Sequence, residues 1–322
     1  MAELSYAKAV ALGLAEAMAA DPRVFCYGED VGYGGAYGAT QGLRDRFGPD
    51  RVRDTPISES AIVGFGVGAA VAGLRPVAEI MHMDFIACAM DQVVNQAAKL
   101  RYMFGGKASV PLVLRCGLGG WLNAAAQHSQ ALEAWFAHVP GLKVATAGTP
   151  ADIRALLLSA ISDDNPVLVL EPLGLYEQRG EVPDQAEVLP LGTALRKRRG
   201  TGVTVVTWGA MVTPVLEAAD QLAADGIECE VLDLVSLAPW DVDAVLGSVA
   251  STHRLVIVHQ AVERGGFGAE IAAIVGQRGF DLLDAPIIRV AGRNVPIPFS
   301  PVLEDYVLPS RERVVEAVRA LG

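Results

Sequence analysis

Hydrophobic positions along the 322-residue chain follow two alternating periods. Residues 5–20 place apolar side chains three and four apart, which predicts a helix. Arg23–Tyr27 predicts a short strand, followed by Gly28-Glu29-Asp30 and a Gly-rich loop to about Ala39. A Gly/Ala-rich helix is expected at 60–73, a strand at 75–80, a long helix at 84–103 and a strand at 110–116. Leu142–Ala147 reads as a strand, 150–162 as a helix and Val167–Glu171 as a strand. Alternating strands and helices of this kind predict an α/β fold, a parallel sheet covered by helices on both faces. The pattern weakens from Pro172 to Arg199, where Pro172, Pro183, Pro190 and a basic run interrupt it. It resumes with strands at Val203–Trp208, Glu228–Asp233, Arg254–Gln260 and Ile287–Val290, and helices at 210–225, 240–250, 267–278 and 309–320. Two domains are therefore expected, 1–190 and 191–322.

Composition adds three points. Hydrophobic residues make up 52% and charged residues 20%, enough for large covered cores. Aromatics are only 6%, so the interior is mainly Ala, Val, Leu, Ile and Gly, which suits buried parallel strands. Mean hydropathy is +0.34, high for a chain without a membrane span, which points to a large subunit interface. The net charge of −11 argues against a nucleic-acid partner. The one short basic run, Arg196-Lys197-Arg198-Arg199, reads as a solvated loop between domains. Cys26, Cys88, Cys116 and Cys229 form no CxxC pair and read as free thiols in a reducing compartment. The amphipathic, acidic N-terminus has neither signal- nor transit-peptide character, so cytoplasm is the expected location, away from membranes.

Several stretches suggest chemistry, each with a plainer reading beside it. Gly64-Phe-Gly66-Val-Gly68 lies inside a helix, where each glycine costs about 1 kcal/mol relative to alanine. Close packing of a helix or ligand would explain that cost. Gly265-Gly266-Phe-Gly268 reads either as a tight turn or as a helix N-terminus facing an anion. Neither completes a dinucleotide fingerprint. His128 sits in a polar setting, Gln127, Ser129 and Gln130, between a strand end and a helix start, the edge where α/β sheets gather ligands. A hydrogen-bonded structural histidine is the plainer alternative. Asp163, Asp164 and Asn165 before Pro166 form a turn or line a cation with carbonyls. Glu59 opens the apolar helix. It is either an exposed first-turn acid beside the capping residues Ser58 or Asp54, or a carboxyl held in apolar surroundings. The almost unbroken apolar run behind it predicts a helix buried all round, in which a carboxylate needs a raised pKa or a dedicated partner.

The stretches GEDVGYGG, DTPISES, GLRPVAEI, DQVVNQAAKLRYMFGG, AAQHSQ, PGLKV, DNPVLVLEP and VPIPFSPVLED occur in this order along nearly the whole chain. Together they resemble the beta subunit of thiamine-diphosphate-dependent 2-oxo-acid dehydrogenases, the decarboxylating component. DTPISES, NQAAKLRYMFGGKA and the VPIPFSPVLED ending are most similar to acetoin dehydrogenase beta subunits, with pyruvate dehydrogenase close by. The resemblance implies a pyrimidine-binding, transketolase-like parallel-sheet domain followed by a transketolase C-terminal α/β domain. It implies that Glu59 contacts the aminopyrimidine ring, that Glu29 and Phe85 border the same pocket, and that His128 faces the reacting centre. Some relatives hold potassium at positions matching Leu112, Ala160, Ile161, Asp163 and Asn165. The chain has no GDG motif. The resemblance therefore assigns the diphosphate and its Mg2+ to an alpha subunit, in an alpha2beta2 heterotetramer that also meets a lipoyl acyltransferase core. His82 and Trp121-Leu122 depart from the residues expected near an acetoin pocket, so acetoin, pyruvate, a branched 2-oxo acid and other acyloins all stand as substrates. Half of a split transketolase and a non-catalytic scaffold subunit are the alternative functions.

Overall fold

The computed structural model describes residues 1–187 and 189–321. Two compact units form, Met1–Leu118 with Trp135–Leu191, and Gly119–Ala134 with Gly192–Gly322. The stretch 119–134 thus clusters with the second unit although it precedes residue 190 in sequence.

The first unit contains β1 (Ala2–Ser5), β2 (Val24–Gly28), β3 (Val52–Asp54), β4 (Arg75–Ile80), β5 (Val113–Leu118), β6 (Lys143–Thr146), β7 (Val167–Pro172) and β8 (Arg179–Val182). Six of them run parallel in the order β6-β7-β5-β4-β2-β3. β1 and β8 form a separate antiparallel pair that the hydrophobic pattern did not disclose. Helix Tyr6–Ala20 packs on helix Pro150–Ser162. Gly13 permits this approach, because a Cβ there would lie 3.3 Å from the Arg154 carbonyl oxygen. The Arg154 guanidinium Nε donates to Glu16 Oε2 at 2.8 Å across the same contact.

The expected helix at 84–103 is not one α-helix. It comprises a 3-10 segment, Met83–Ala89, a π segment, Gln92–Ala97, and a short α-helix, Ala98–Met103. Such changes of winding leave carbonyls without their regular i→i−4 donors. Here the Ser60 hydroxyl donates to the Cys88 carbonyl at 2.5 Å, from the neighbouring helix Glu59–Val71.

The second unit contains β9 (Leu195–Arg198), β10 (Val203–Thr207), β11 (Cys229–Asp233), β12 (Ser236–Ala238), β13 (Leu255–Val262) and β14 (Ile288–Gly292). Its sheet runs β14-β13-β10-β11-β9, parallel except for β9. Alternation along β10 separates the faces. Val203 and Val205 enter the core with Val215 and Leu222 of helix Val212–Ala224 and Val314 and Val318 of helix Arg311–Arg319. Thr204 points the other way, its hydroxyl within 2.6 Å of those of Ser248 and Thr252 on helix Val242–Thr252. The basic run is not a loop: Leu195–Arg198 is the edge strand. Arg196 pairs with Glu230, and Arg198 with Asp220 and Glu228, so these charges protect a sheet edge rather than solvate a linker.

His259 on β13 is fully buried and stacks on Trp208, centroids 5.1 Å apart. A Cβ at Gly266 or Gly268 would lie 2.7 or 2.6 Å from its ring, so the glycine-rich turn exists to admit the imidazole. Burial, aided by the charge of Arg289, depresses this histidine from 6.5 to about 4. The unfolded chain binds a proton in that window that the folded chain does not. Stability present above pH 6.5 is therefore lost as pH falls toward about 4, by up to about 3 kcal/mol. Urea midpoints measured from pH 7 to 4 should fall less steeply for His259→Gln. An identical slope in the variant would refute this assignment.

Candidate active site

In a parallel α/β sheet, ligand-binding residues collect beyond the C-terminal ends of the strands. Three neighbouring strands place the expected residues on that edge. Glu29 follows β2 directly. Glu59 is the first residue of helix Glu59–Val71, five residues past the end of β3. Phe85 lies in the 3-10 segment beyond β4, its N–H donating to the His82 carbonyl at 3.0 Å. β3 and β4 flank β2 on either side, so the three residues share one edge of one sheet.

Glu59 and Glu29 are both half-buried. Burial raises the Glu29 carboxyl above its ordinary value, and the negative charges of Glu59, Asp30 and Glu79 add to the shift. Asp54 does not cap the helix, because its carboxylate accepts from Gly32 N at 2.6 Å and from Arg44 Nη1 at 2.7 Å. Ser58 occupies the N-cap position without a side-chain cap bond. The helix behind Glu59 is also not buried all round. Ile62, Val63, Gly66, Val67 and Ala70 face inward, while Ala61, Phe65, Gly68 and Ala72 form an exposed stripe at helical spacing. Gly66 is the glycine that packing requires, since a Cβ there would lie 2.3 Å from the Tyr27 hydroxyl, which donates to Ile62 O at 2.7 Å. Phe65, 52% exposed, stands edge-on to Tyr27 at 5.2 Å.

Below this edge lies a charge network that the sequence reading missed. Arg115 is 2% exposed; its Nε and Nη2 donate to Glu171 at 2.7 Å each, and its Nη1 to Glu79 Oε2 at 2.6 Å. Tyr176 donates to Glu171 Oε2 at 2.5 Å. Burial disfavours the Arg115 charge, but Glu171 and Glu79 outweigh it and hold the group well above its ordinary value. Burial raises Glu79, and it raises Tyr176 further with the help of Glu171's charge. A small cavity borders Tyr37, Glu79, Arg115, Glu171 and Tyr176. Tyr37 also meets His82, hydroxyl to Nε2 2.8 Å, and His82 stands edge-on to Phe85 at 6.1 Å. One signal did exist: Glu79, Arg115 and Glu171 each interrupt an apolar strand, in RPVAEI, VLRCGL and VLVLEP.

His128 is exposed in the segment that belongs to the second unit, its N–H donating to Ala125 O at 3.4 Å. Glu29, Glu59 and Phe85 belong to the first. Around His128 the backbone is left-handed at three non-glycine residues, Trp121 (φ 68), Asn123 (φ 53) and Ala125 (φ 62). Each costs about 1–2 kcal/mol, so the surrounding contacts must impose this path.

The turn expected to suit potassium carries its own cations. The carbonyls of Ile161 and Asp163 accept from Arg75 Nη1 at 2.9 and 3.1 Å. Asp163 pairs with Lys143, and Asn165 Oδ1 accepts from Arg101 at 2.8 Å. Leu112 O accepts from Val167 N at 2.9 Å and Ala160 O from Asp163 N at 3.3 Å. The oxygens present are thus engaged by the chain itself. A carbonyl oxygen carries two lone pairs, so each of these carbonyls keeps acceptor capacity beyond the bond named. Among the described residues no cluster of three or more His, Cys, Asp or Glu side chains could hold a metal. No helix among them is long and apolar enough to cross a membrane.

Comparison with known proteins agrees with this layout. Residues 2–178 match the model of the transketolase pyrimidine binding domain, and 192–314 that of the transketolase C-terminal domain. The chain is 46% identical over 331 residues to the acetoin:2,6-dichlorophenolindophenol oxidoreductase subunit beta of Bacillus subtilis, covering 99% of this chain and 97% of the relative. It is 46% identical over 318 residues to the pyruvate dehydrogenase E1 component subunit beta of Rickettsia felis, covering 98% of each. It is 42% identical over 325 residues to the 2-oxoisovalerate dehydrogenase subunit beta of Bacillus subtilis, covering 100% and 99%. A solved split gene transketolase, an inactive beta4 tetramer, shares the fold with a TM-score of 0.81 at 22% identity, over 99% of this chain and 98% of that one.

Proposed function

Because the chain belongs to the beta subunits of thiamine-diphosphate-dependent 2-oxo-acid and acetoin dehydrogenases, we propose that it supplies the pyrimidine half of an active site completed by an alpha subunit. The assembled enzyme cleaves a 2-oxo acid or acetoin and passes the acyl group to lipoamide. The observation that carries this reading is the single sheet edge bearing Glu29, Glu59 and Phe85. A half-buried aromatic and two carboxyl groups suit a flat, nitrogen-bearing ring. The diphosphate and its Mg2+ fall to the alpha subunit, since this chain has no GDG motif.

Thiamine diphosphate, when bound, supplies the electron sink for carbon–carbon cleavage. Glu59 holds and moves a proton at the pyrimidine ring nitrogen, a task for a positioned carboxyl group in a site that excludes water. Phe85 provides an apolar wall for the ring. Burial and the charges of Glu59, Asp30 and Glu79 raise the Glu29 carboxyl, which borders the same pocket. His128 handles the proton of the substrate oxygen or of the accepting lipoyl sulfur.

The exposed stripe of helix Glu59–Val71, with Ile57 80% exposed, and the exposed side chains Tyr102, Met103 and Phe104 are the surface offered to the alpha subunit in an alpha2beta2 assembly. Phe65→Asp should leave the chain folded and weaken assembly by about 30-fold or more, as loss of an aromatic anchor does. Size-exclusion profiles of the co-expressed pair read this directly. An unchanged heteromer would move the interface elsewhere.

Acetoin, pyruvate and 2-oxoisovalerate form the substrate panel, read by reduction of an artificial acceptor by the complex with a GDG-bearing alpha subunit. Turnover of one of them that depends on thiamine diphosphate supports the proposal. Inactivity toward all three sinks it. Transfer from a ketose phosphate to an aldose phosphate would instead favour the split-transketolase reading. Association with a lipoyl acyltransferase core belongs to the same proposal.

A further inference from the structure

The backbone that presents His128 folds around a carboxylate from the far end of the chain. Trp121, Asn123 and Ala125 are left-handed, while Leu122 and Ala124 between them are not. Alternation of this kind turns successive N–H groups to one side, a concave arrangement suited to an anion. The anion is internal. Glu304 Oε1 accepts from Trp121 N at 2.9 Å, and Oε2 from Asn123 N at 3.1 Å. Glu304 is only 1% exposed, on helix Pro301–Val307 within the VPIPFSPVLED stretch. Gly120 lets the carboxylate approach, for a Cβ there would lie 2.9 Å from Glu304 Oε1 and 2.8 Å from Leu308 Cδ1.

The other end of the segment is tied down as well. Gly119 N donates to Gln130 O at 3.1 Å, closing the base of the loop. Trp208 Nε1 donates to the buried Glu133 Oε1 at 3.3 Å. Between these anchors His128 stands exposed, its own N–H directed to the carbonyl of left-handed Ala125. The path from Glu304 to His128 is therefore short and all backbone: Trp121 and Asn123 to the carboxylate, Ala125 to His128.

We infer that Glu304 is a positioning residue, whose carboxylate folds the 121–125 backbone around itself and so sets where His128 is presented. The inference rests on the proposed role of His128. An apolar side chain could fill the space, but it could not accept two converging N–H groups. Glutamine keeps one acceptor oxygen and turns its NH2 toward the second N–H. Aspartate keeps the charge and falls short by one methylene.

The test uses the assembled enzyme with free lipoamide as acceptor and the variants Glu304→Gln, Glu304→Asp, Glu304→Ala and His128→Ala. Glu304→Ala is expected to lower kcat by about 10²-fold, the cost of misplacing a reacting group by about an ångström, with little change in KM. Formate, able to occupy the vacated nest, should restore part of that loss in Glu304→Ala and none in His128→Ala. Amide exchange should quicken over 121–128 in Glu304→Gln while β10 and β13 keep their protection. Glu304→Gln serves as the kinetic probe should the alanine variant not fold. Normal turnover in the Glu304 variants, alongside an impaired His128→Ala, would overturn the positioning role alone. Normal turnover in His128→Ala would overturn the role of His128 and this inference with it.

Discussion

Glu59→Gln is expected to lower turnover of the assembled enzyme by about 10²–10⁴-fold, the usual share of a positioned acid–base group. Glutamine preserves the shape and one hydrogen bond to the pyrimidine nitrogen but cannot hand over a proton. Thiamine diphosphate should therefore still bind, so the loss appears in kcat. The fold should barely notice. Glu59 opens its helix, where a carboxylate gains about 0.3–1 kcal/mol from the helix dipole, and the helix is otherwise held by Ile62, Val63, Gly66, Val67 and Ala70. The pairing of intact stability with lost turnover separates a catalytic glutamate from an ordinary first-turn acid. Near-normal acceptor reduction by the variant would return Glu59 to the second class.

Arg115→Met is expected to act in the opposite way, on stability first. The guanidinium satisfies Glu171 through two hydrogen bonds and Glu79 through a third, all at 2.6–2.7 Å, beneath the sheet edge that carries Glu29 and Glu59. Removing it leaves two carboxyl groups facing each other in a buried site. Deleting one partner of such a network costs about 3–5 kcal/mol. Methionine fills most of the volume, so the loss reports the uncompensated charge rather than a cavity. The sign with pH follows from Glu79, which burial already raises. A carboxyl raised in the folded state contributes stability below its unfolded value near 4.5 that is lost as pH rises through its folded value. Without Arg115 that loss should deepen, so Arg115→Met should be least impaired at acid pH. Urea midpoints at pH 5 and pH 8 check this. A penalty under about 1 kcal/mol that is independent of pH would show that the network is dispensable. Adding Glu171→Gln to the variant should recover part of the stability, because one of the stranded charges is gone.

Much of the fold was legible because buried parallel strands announce themselves as apolar runs. Val24–Gly28, Arg75–Ile80, Val167–Pro172 and Val203–Thr207 fall within a residue or so of the patterns that predicted them. What escaped had little apolar periodicity. Ala2–Ser5 and Arg179–Val182 pair with each other, largely exposed, and Leu195–Arg198 is a charged edge. Helix Glu59–Val71 looked buried on every side because Ala, Gly, Val and Phe are apolar wherever they point. One chain leaves Ala61, Phe65, Gly68 and Ala72 in water, and an obligate subunit interface resembles a core cut in half. The long helix expected at 84–103 failed for a different reason. Its residues favour helix throughout, but a change from 3-10 to π winding shifts the register without leaving a compositional mark.

The candidate site divides along similar lines. Glu59 and His128 stood out by their surroundings in the chain, Glu29 and Phe85 came from the resemblance, and the strand order gave Glu29, Glu59 and Phe85 a shared edge. Glu304 was unreadable as a functional residue, since its partners are the backbone N–H groups of Trp121 and Asn123, about 180 residues away. No spacing rule connects a helix carboxylate to a distant loop. Arg115 could have been noticed as a charge within an apolar strand, but its two carboxylates lie on different strands of the sheet.

Whether the cofactor needs both chains is decided by calorimetric titration of thiamine diphosphate with Mg2+ into this chain alone, the alpha subunit alone and the reconstituted pair. No binding to this chain alone is expected, and saturable binding to the pair, one cofactor for each beta chain. Stoichiometric binding to the isolated chain, or none to the pair, would contradict a site completed by the alpha subunit.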